Sequence, residues 1–499
     1  MGEAQGCRFE PTFNRSVKVG AGDDRLTSDA GVLLVREADQ RLGLTASLAA
    51  QLSDPRDPVK IRYQMSELLR ERLYALTLGY ENQDDVDRLA HDPAMRMAVW
   101  DRRGQAVLQE RLASQPTQSR LIDVLAHGGR NLLVLRDALG DWVFRHIRST
   151  NRDARVPAAT IDVDSFAIEV HGCQEGSQYN GHYRQTGYHP LVASFVVGGD
   201  YDGARDGLRL GNGFVHAVLR AGNVHTAKGV FRFVRSVLTK TKDLARELDF
   251  RLDAGYTGGE VLDFLAGEKA RFLGRLPTNP VLERLAAPHL RRPPGRPPRE
   301  GYETIVELGQ HRAESWQRSY RLILVVVDRP DPKTGQLTLQ PDFFFLITNW
   351  PVEQRTTEQL LEHYRKRGTF EDRLGEFREA VGPHLSSPKF VENEALLLLS
   401  LLAFNLGSFL RLELEDDAGA CLDLQRFQKV VLKAGGRVVK HARQLHVHVA
   451  QAVAPLWNRL WKRLQRWRLT RRRTTPNPPR RRDWMPPPRH AHLAEVLNL

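Results

Sequence analysis

The sequence predicts an α/β protein: a mixed sheet with helices packed on it, preceded by an all-helical segment and followed by a helical, basic one. Three observations predict this. Residues 59–150 carry apolar side chains at helical spacing, as in IRYQMSELLRERLYALTLGY. From residue 156 the pattern changes to β-branched alternation, then runs strand, strand, strand, helix, strand, helix, strand. Two strong apolar runs, RSYRLILVVVD (318–328) and DFFFLITNW (342–350), then lead into one densely charged stretch near residue 364.

The elements follow in order. GVLLVREADQRL (31–42) reads as a helix, and the SDPRDP punctuation at 53–58 closes that segment. LIDVLAHGGRNLLVLRDALGDWVFRHIR continues the helical pattern, so 1–150 would be a helical N-terminal domain. VPAATIDVDSFAIEV (156–170), YHPLVASFVV (188–197) and GLRLGNGFVHAVL (207–219) read as strands. NVHTAKGVFRFVRSVLTKTKDLARE reads as a helix with Thr226 as its N-cap. LDFRLDAGYTG (248–258) is a strand ending at Asp253 in a glycine-containing loop; GGEVLDFLAGEK is a helix and ARFLGRLP a strand. These make 151–276 the first part of the α/β core. HLRRPPGRPPRE is a basic, proline-rich loop inside a β-rich insertion, 277–350. The core resumes over 351–415, and 416–499 forms the basic C-terminal region.

Composition narrows the partners. A net charge of +13 favours a polyanion, either nucleic acid or an anionic membrane surface. Cys7, Cys173 and Cys421 are far apart and in no CxxC pattern, which argues against structural zinc or disulfides and fits a reducing, cytoplasmic setting. The apolar run 395–410 is too short for a membrane span and contains Asn405, so a buried core helix is expected and no membrane partner. The tail from about 456 interleaves arginine with tryptophan, a mixture suited to phosphate contact and base stacking.

The charged stretch is HYRKRGTFEDRLGEFREA. On one continuous helix, Tyr364, Arg367, Glu371 and Arg378, at offsets of 0, 3, 7 and 14, share a face. A solvated helix with an Arg367–Glu371 ion pair would use the same residues. Two strand aspartates decide between these readings. Asp164 lies in the first strand and Asp253 ends the fourth, so a sheet can bring them together with a helical Glu371. Such a set of oxygen ligands suits two divalent metal ions acting on a phosphodiester. Asp162 is a rival to Asp164 on the same strand face, and Glu169 and Glu175 are weaker rivals. An isolated aspartate at a strand end is ordinarily a turn or cap residue; the order strand Asp, strand-end Asp, helical Glu carries the reading.

The spacing Tyr364-x2-Arg367-x3-Glu371-x6-Arg378 resembles the YREK signature of DDE transposases from bacterial insertion sequences, with arginine where lysine is usual. Asp164-Ser165 and Asp253-Ala254-Gly255-Tyr256 are similar to that group's motifs around the first two acids, as are LTSDAGVLLVREADQRLGL, DVDSFAIEVHGCQEG and LRAGNVHTAKG. The resemblance runs over most of residues 10–410. It implies an RNase H-like catalytic domain interrupted by a β-rich insertion. It implies Asp164, Asp253 and Glu371 as ligands of two Mg2+ ions, with Mn2+ as a substitute. Tyr364, Arg367 and Arg378 would hold phosphates near the cut. The implied reaction is cleavage of double-stranded DNA at terminal inverted repeats followed by strand transfer into target DNA. The implied assembly is a homo-oligomer, dimeric at synapsis, in a bacterial cytoplasm. The alternatives are a related nuclease without strand transfer and an inactive DNA-binding derivative. Elsewhere, His171 and Cys173 fit a loop role, Asn223 and His225 fit either DNA approach or a turn, and Trp350 fits either base stacking or core packing.

Overall fold

A computed structural model describes residues 25–102, 104–150, 155–198, 213–292, 301–330, 340–414, 422–442 and 444–468. Its centre is an eight-stranded mixed sheet: β1 Val156–Ser165, β2 Leu191–Val197, β3 Gly213–Val218, β4 Ala245–Leu252, β5 Arg271–Leu276, β6 Tyr302–His311, β7 Tyr320–Asp328 and β8 Asp342–Thr348. The spatial order is β6-β7-β8-β5-β4-β1-β2-β3. β1 pairs with β4 and β4 with β5 in parallel, and all other neighbours are antiparallel. The strands of 318–350 therefore extend the core sheet through β8 and β5. β7 sits inside that extension, and its RLILVVV run is buried on both faces, which is why it reads as continuous rather than alternating. β6, not singled out in the sequence, is the polar outer edge.

The parallel β1–β4 crossover needs a connection over the sheet face, supplied in part by α6 Val230–Thr241, and α7 Gly259–Gly267 follows β4. α6 begins after Gly229 in the left-handed region (φ 80°), so Thr226 does not cap it. Thr226 lies instead in the preceding turn, where its carbonyl accepts from Arg220 Nη1 at 3.0 Å.

Ahead of the sheet come α1 Val32–Leu42, α2 Leu44–Gln51, α3 Met65–Thr77, α4 Gln115–Ala126 and α5 Arg130–Thr150, with shorter helical turns between them. After β8 come α8 Thr357–Arg365, α9 Gly368–Ala380 and α10 Phe390–Leu412. α10 is apolar all round and buried along its length, as a helix at the centre of a large protein must be. It packs on α3, α4, α5 and β3, so the N-terminal helices and the sheet share one apolar core. Asn405, one of the buried polar residues of α10, accepts from Phe214 N–H and donates to Phe214 C=O, both at 2.8 Å. It thereby satisfies the outer edge of β3, where an unpaired buried backbone group would cost about 1–3 kcal/mol. A small sheet of Leu26–Thr27, Gly436–His441 and Gln444–Val449, then the helix Ala454–Leu464, completes the described chain. Most of the arginine-rich tail, the 293–300 part of the proline-rich loop, Cys7 and Cys421 lie outside the described residues.

Candidate functional site

β1 and β4 run side by side in parallel, with Val163 opposite Leu252. The next residue on each is an aspartate, so Asp164 and Asp253 meet at the carboxyl ends of two adjacent strands. Asp253 then enters a short 3-10 turn, Ala254–Tyr256. Gly255 packs tightly there: a Cβ would lie 2.8 Å from Thr226 Cγ2, so the threonine side chain would have to shift. Tyr256 turns its hydroxyl back to Ser165 Oγ at 2.8 Å, clamping the two strand ends.

The charged stretch is not one helix. α8 stops at Arg365 and α9 starts at Gly368, with Lys366 and Arg367 forming a tight junction in which Arg367 N donates to Tyr364 O at 2.9 Å and Phe370 N to Arg367 O at 2.9 Å. The expectation of one continuous helical face is corrected by this break. Its consequence is that Arg367 projects between the acids. Arg367 Nη2 lies 2.5 Å from Asp164 Oδ2 and 3.7 Å from Asp253 Oδ2, and Nη1 lies 2.9 Å from Glu371 Oε1. Tyr364 donates to Asp253 Oδ1 at 3.4 Å. Five of the six expected residues are therefore joined in one contact network. Arg378, farther along α9, is exposed and forms no ion pair among the described residues; it reaches the site through space only, within electrostatic range of Tyr183, which also senses Asp164 and Asp253.

The electrostatics follow from burial. Asp164 is pushed up to about 6, because burial outweighs the Arg367 guanidinium and Asp253 and Glu371 add like charge. Burial, then the Asp253 carboxylate, raise the Tyr364 phenol, so it stays protonated and donates. Burial alone would lower Arg367, but the acids around it raise it.

Asp162, the rival first acid, is otherwise engaged. Its carboxylate accepts both Arg251 Nε and Nη2 at 2.7 Å, and the pair is almost wholly buried. Arg251 Nη1 also donates to His363 O at 3.0 Å, which pins the end of α8 onto β4. One pleat deeper, Asp249 pairs with His363 Nε2 and accepts from Trp350 Nε1 at 3.0 Å. Trp350 is thus a core residue beneath the site. Glu169 is exposed on the two-residue strand Ile168–Glu169, and Glu175 accepts from Phe390 N. His171 and Cys173 are exposed in a loop. The Asp162–Arg251–His363 support was not singled out in the sequence, although Asp162 and Arg251 stand at matching distances before the two site aspartates.

The three acids supply oxygen donors only, a set that fits a hard divalent cation. Among the described residues no three His, Cys, Asp or Glu side chains already stand as a metal-holding group; the Arg367 guanidinium lies between the acids. The family model described as transposase DDE domain group 1 matches residues 9–471. No curated protein matches the chain. Among solved structures, the cryo-EM structure of a piggyBac transposase synaptic complex with hairpin DNA is 11% identical and covers 80% of this chain and 78% of that one, at a TM-score of 0.41, too loose a likeness to bear on the site.

Proposed function

The chain belongs to the transposase DDE domain group 1 family, and on that premise we propose that it carries out cut-and-paste transposition: cleavage of double-stranded DNA at terminal inverted repeats, then strand transfer into target DNA. The observation that carries the proposal is the convergence of Asp164, Asp253 and Glu371 on the one guanidinium of Arg367. The strand order β5-β4-β1-β2-β3, with β2 antiparallel to β1, supports an RNase H-like core interrupted by 277–350. The Tyr364-x2-Arg367-x3-Glu371-x6-Arg378 spacing supports the YREK group of bacterial insertion sequences.

Asp164, Asp253 and Glu371 would hold two Mg2+ ions, or Mn2+ in their place. When bound, such ions activate a water or a 3′-hydroxyl and stabilise the leaving oxygen. The rest is the work of this chain's own groups. Asp164 would hold a cation in place of its ion pair with Arg367. The freed Arg367 guanidinium, with its five donors, binds the phosphate beside the cut. Tyr364 hydrogen-bonds the same phosphate or keeps Asp253 oriented. Arg378, exposed on α9, neutralises a neighbouring phosphate as arginine in place of the group's lysine. The helical segment 1–150 contacts the transposon end, and two copies pair the ends at synapsis.

The test uses purified protein, duplexes bearing one element end, and Mg2+. Wild type should cleave, and Asp164→Ala, Asp253→Ala and Glu371→Ala should lose cleavage by about a thousand-fold or more while still binding the end. Full cleavage by Glu371→Ala would overturn the site. Pre-cut ends incubated with plasmid separate transposase from nuclease, since only the former joins ends to target.

A further inference from the structure

Beside the acids lies a second cleft, of about 260 Å3, between the hairpin Gln178–Asn180/Gln185–Tyr188 and the turn at 221–226. Its walls are tied together: Asn180 Nδ2 donates to Gly222 O at 2.7 Å, and a Cβ on Gly222 would fall 2.2 Å from Gly187 O. It adjoins the site. Thr226, on its wall, packs against Gly255 two residues after Asp253. Tyr183, at the hairpin tip, is within electrostatic range of Asp164, Asp253 and Arg378.

The lining is unusual for a protein of net charge +13. Five of its residues carry rings: Tyr179, His182, Tyr183, His189 and His225. None of the described residues lining it is Lys, Arg, Asp or Glu. Tyr179 and Tyr183 are exposed, at 60% and 38%. Tyr183 stands edge-on to His182 and His189, with ring centroids 4.8 and 5.4 Å apart. His189 is buried, and its Nδ1 is bonded to Val224 O at 3.3 Å, so that nitrogen carries the proton. Its Nε2 is buried and makes no hydrogen bond among the described residues. Burial, reinforced by the Arg220 guanidinium, lowers the His189 pKa and keeps the ring neutral. The unmet atom is therefore an acceptor. A phosphate, rich in acceptors and anionic, finds no Lys or Arg in this lining and has no donor for a lone pair. A nucleobase matches both, through its stacking faces and its N–H groups.

We propose that this cleft binds a single nucleobase of the strand beside the cleaved phosphodiester and contributes to sequence preference at the cut. The proposal rests on the transposase reading. The phosphate is held on the acid side by Arg367, and its neighbouring base turns to the ring-lined side. Tyr183 and His225 stack on it, and the floor of the cleft accepts its N–H.

The test uses the full-length protein and end duplexes with one abasic nucleotide, moved stepwise through the positions flanking the cut. One position should slow wild-type cleavage about ten-fold. At that position the exposed-residue variant Tyr183→Ala/His225→Ala should already be slowed on intact DNA and show no additional slowing. Sensitivity at no position, or a variant as sensitive as wild type, would overturn the proposal. If wild type cleaves no end DNA, that result counts against the transposase reading, and the cleft is decided separately. In the metal-free complex, 2-aminopurine at one flanking position should brighten with wild type and not with the variant; no difference overturns it.

Discussion

Asp162 and Asp164 project from the same face of β1, one pleat apart, and alternation in the sequence does not separate them. What separates them is the opposite strand. Arg251 faces Asp162 and consumes both its oxygens, whereas Leu252 and Asp253 leave Asp164 to the open end. Asp162→Ala should therefore act on stability, leaving the buried Arg251 guanidinium without its carboxylate at a cost of about 3–5 kcal/mol in chemical denaturation. Asp164→Asn should act in the opposite sense. The folded-state pKa of Asp164 is raised to about 6, so the folded protein holds this proton more tightly than the unfolded chain. Stability contributed by the group is present below about pH 4 and is lost as pH rises toward 6. In metal-free protein at pH 7, Asp164→Asn should be more stable than wild type by on the order of 2 kcal/mol, with the gap closing near pH 4. A variant less stable than wild type at pH 7 would mean that the Arg367 pair outweighs burial. Trp350 is similarly ambiguous in the sequence. Its ring could stack or pack, and only the position of Asp249, a hundred residues earlier, decides for packing.

The α8–α9 break is the element that sequence periodicity hides. Tyr364, Arg367 and Glu371 fall on one face of an ideal helix, and a polar face carries no apolar stripe to mark where a helix is interrupted. The strands are easier, because β-branched alternation and continuous apolar runs report burial directly; β6 and the hairpin around Tyr179 are too polar or too short to stand out. What fixes the junction is tertiary. Arg251 spans Asp162 and His363 O, tethering the last turn of α8 to the sheet just before Tyr364. Lysine cannot make these three bonds at once. Arg251→Lys should cost about 1–3 kcal/mol and slow cleavage at saturating DNA and metal, with end affinity retained, because the error lies in the placing of Tyr364 and Arg367. Unchanged kcat with the expected loss of stability would reduce the tether to a purely structural role.

At the scale of the whole molecule, α10 welds the N-terminal helices to the sheet, and its apolar length is accounted for by burial within the protein. The helical segment shows no sequence signature for groove recognition, so the DNA binding proposed for it would have to come from charge and shape. A basin of about 490 Å3 supplies both: Arg56, Lys60, Arg62, Arg111 and Arg120 line it against one acid, Asp57. Arg56 and Arg62 are drawn to Asp54 and Glu110, whereas Arg111 and Arg120 form no ion pair among the described residues. Ser114 and Thr117, at the N-terminal turn of α4, add hydroxyls and the positive end of a helix. This lining is the converse of the neutral nucleobase cleft and fits phosphates, which position DNA without reading it. Arg111→Ala/Arg120→Ala should weaken binding to end and unrelated duplexes alike. The slope of log affinity against log salt should become shallower by about two, one for each phosphate that the variant leaves unneutralised. An unchanged slope would remove the basin from the DNA path. A weakening confined to the element's own end would mean that this surface reads sequence, and the division between a phosphate-holding helical face and a base-reading cleft beside the acids would then fail.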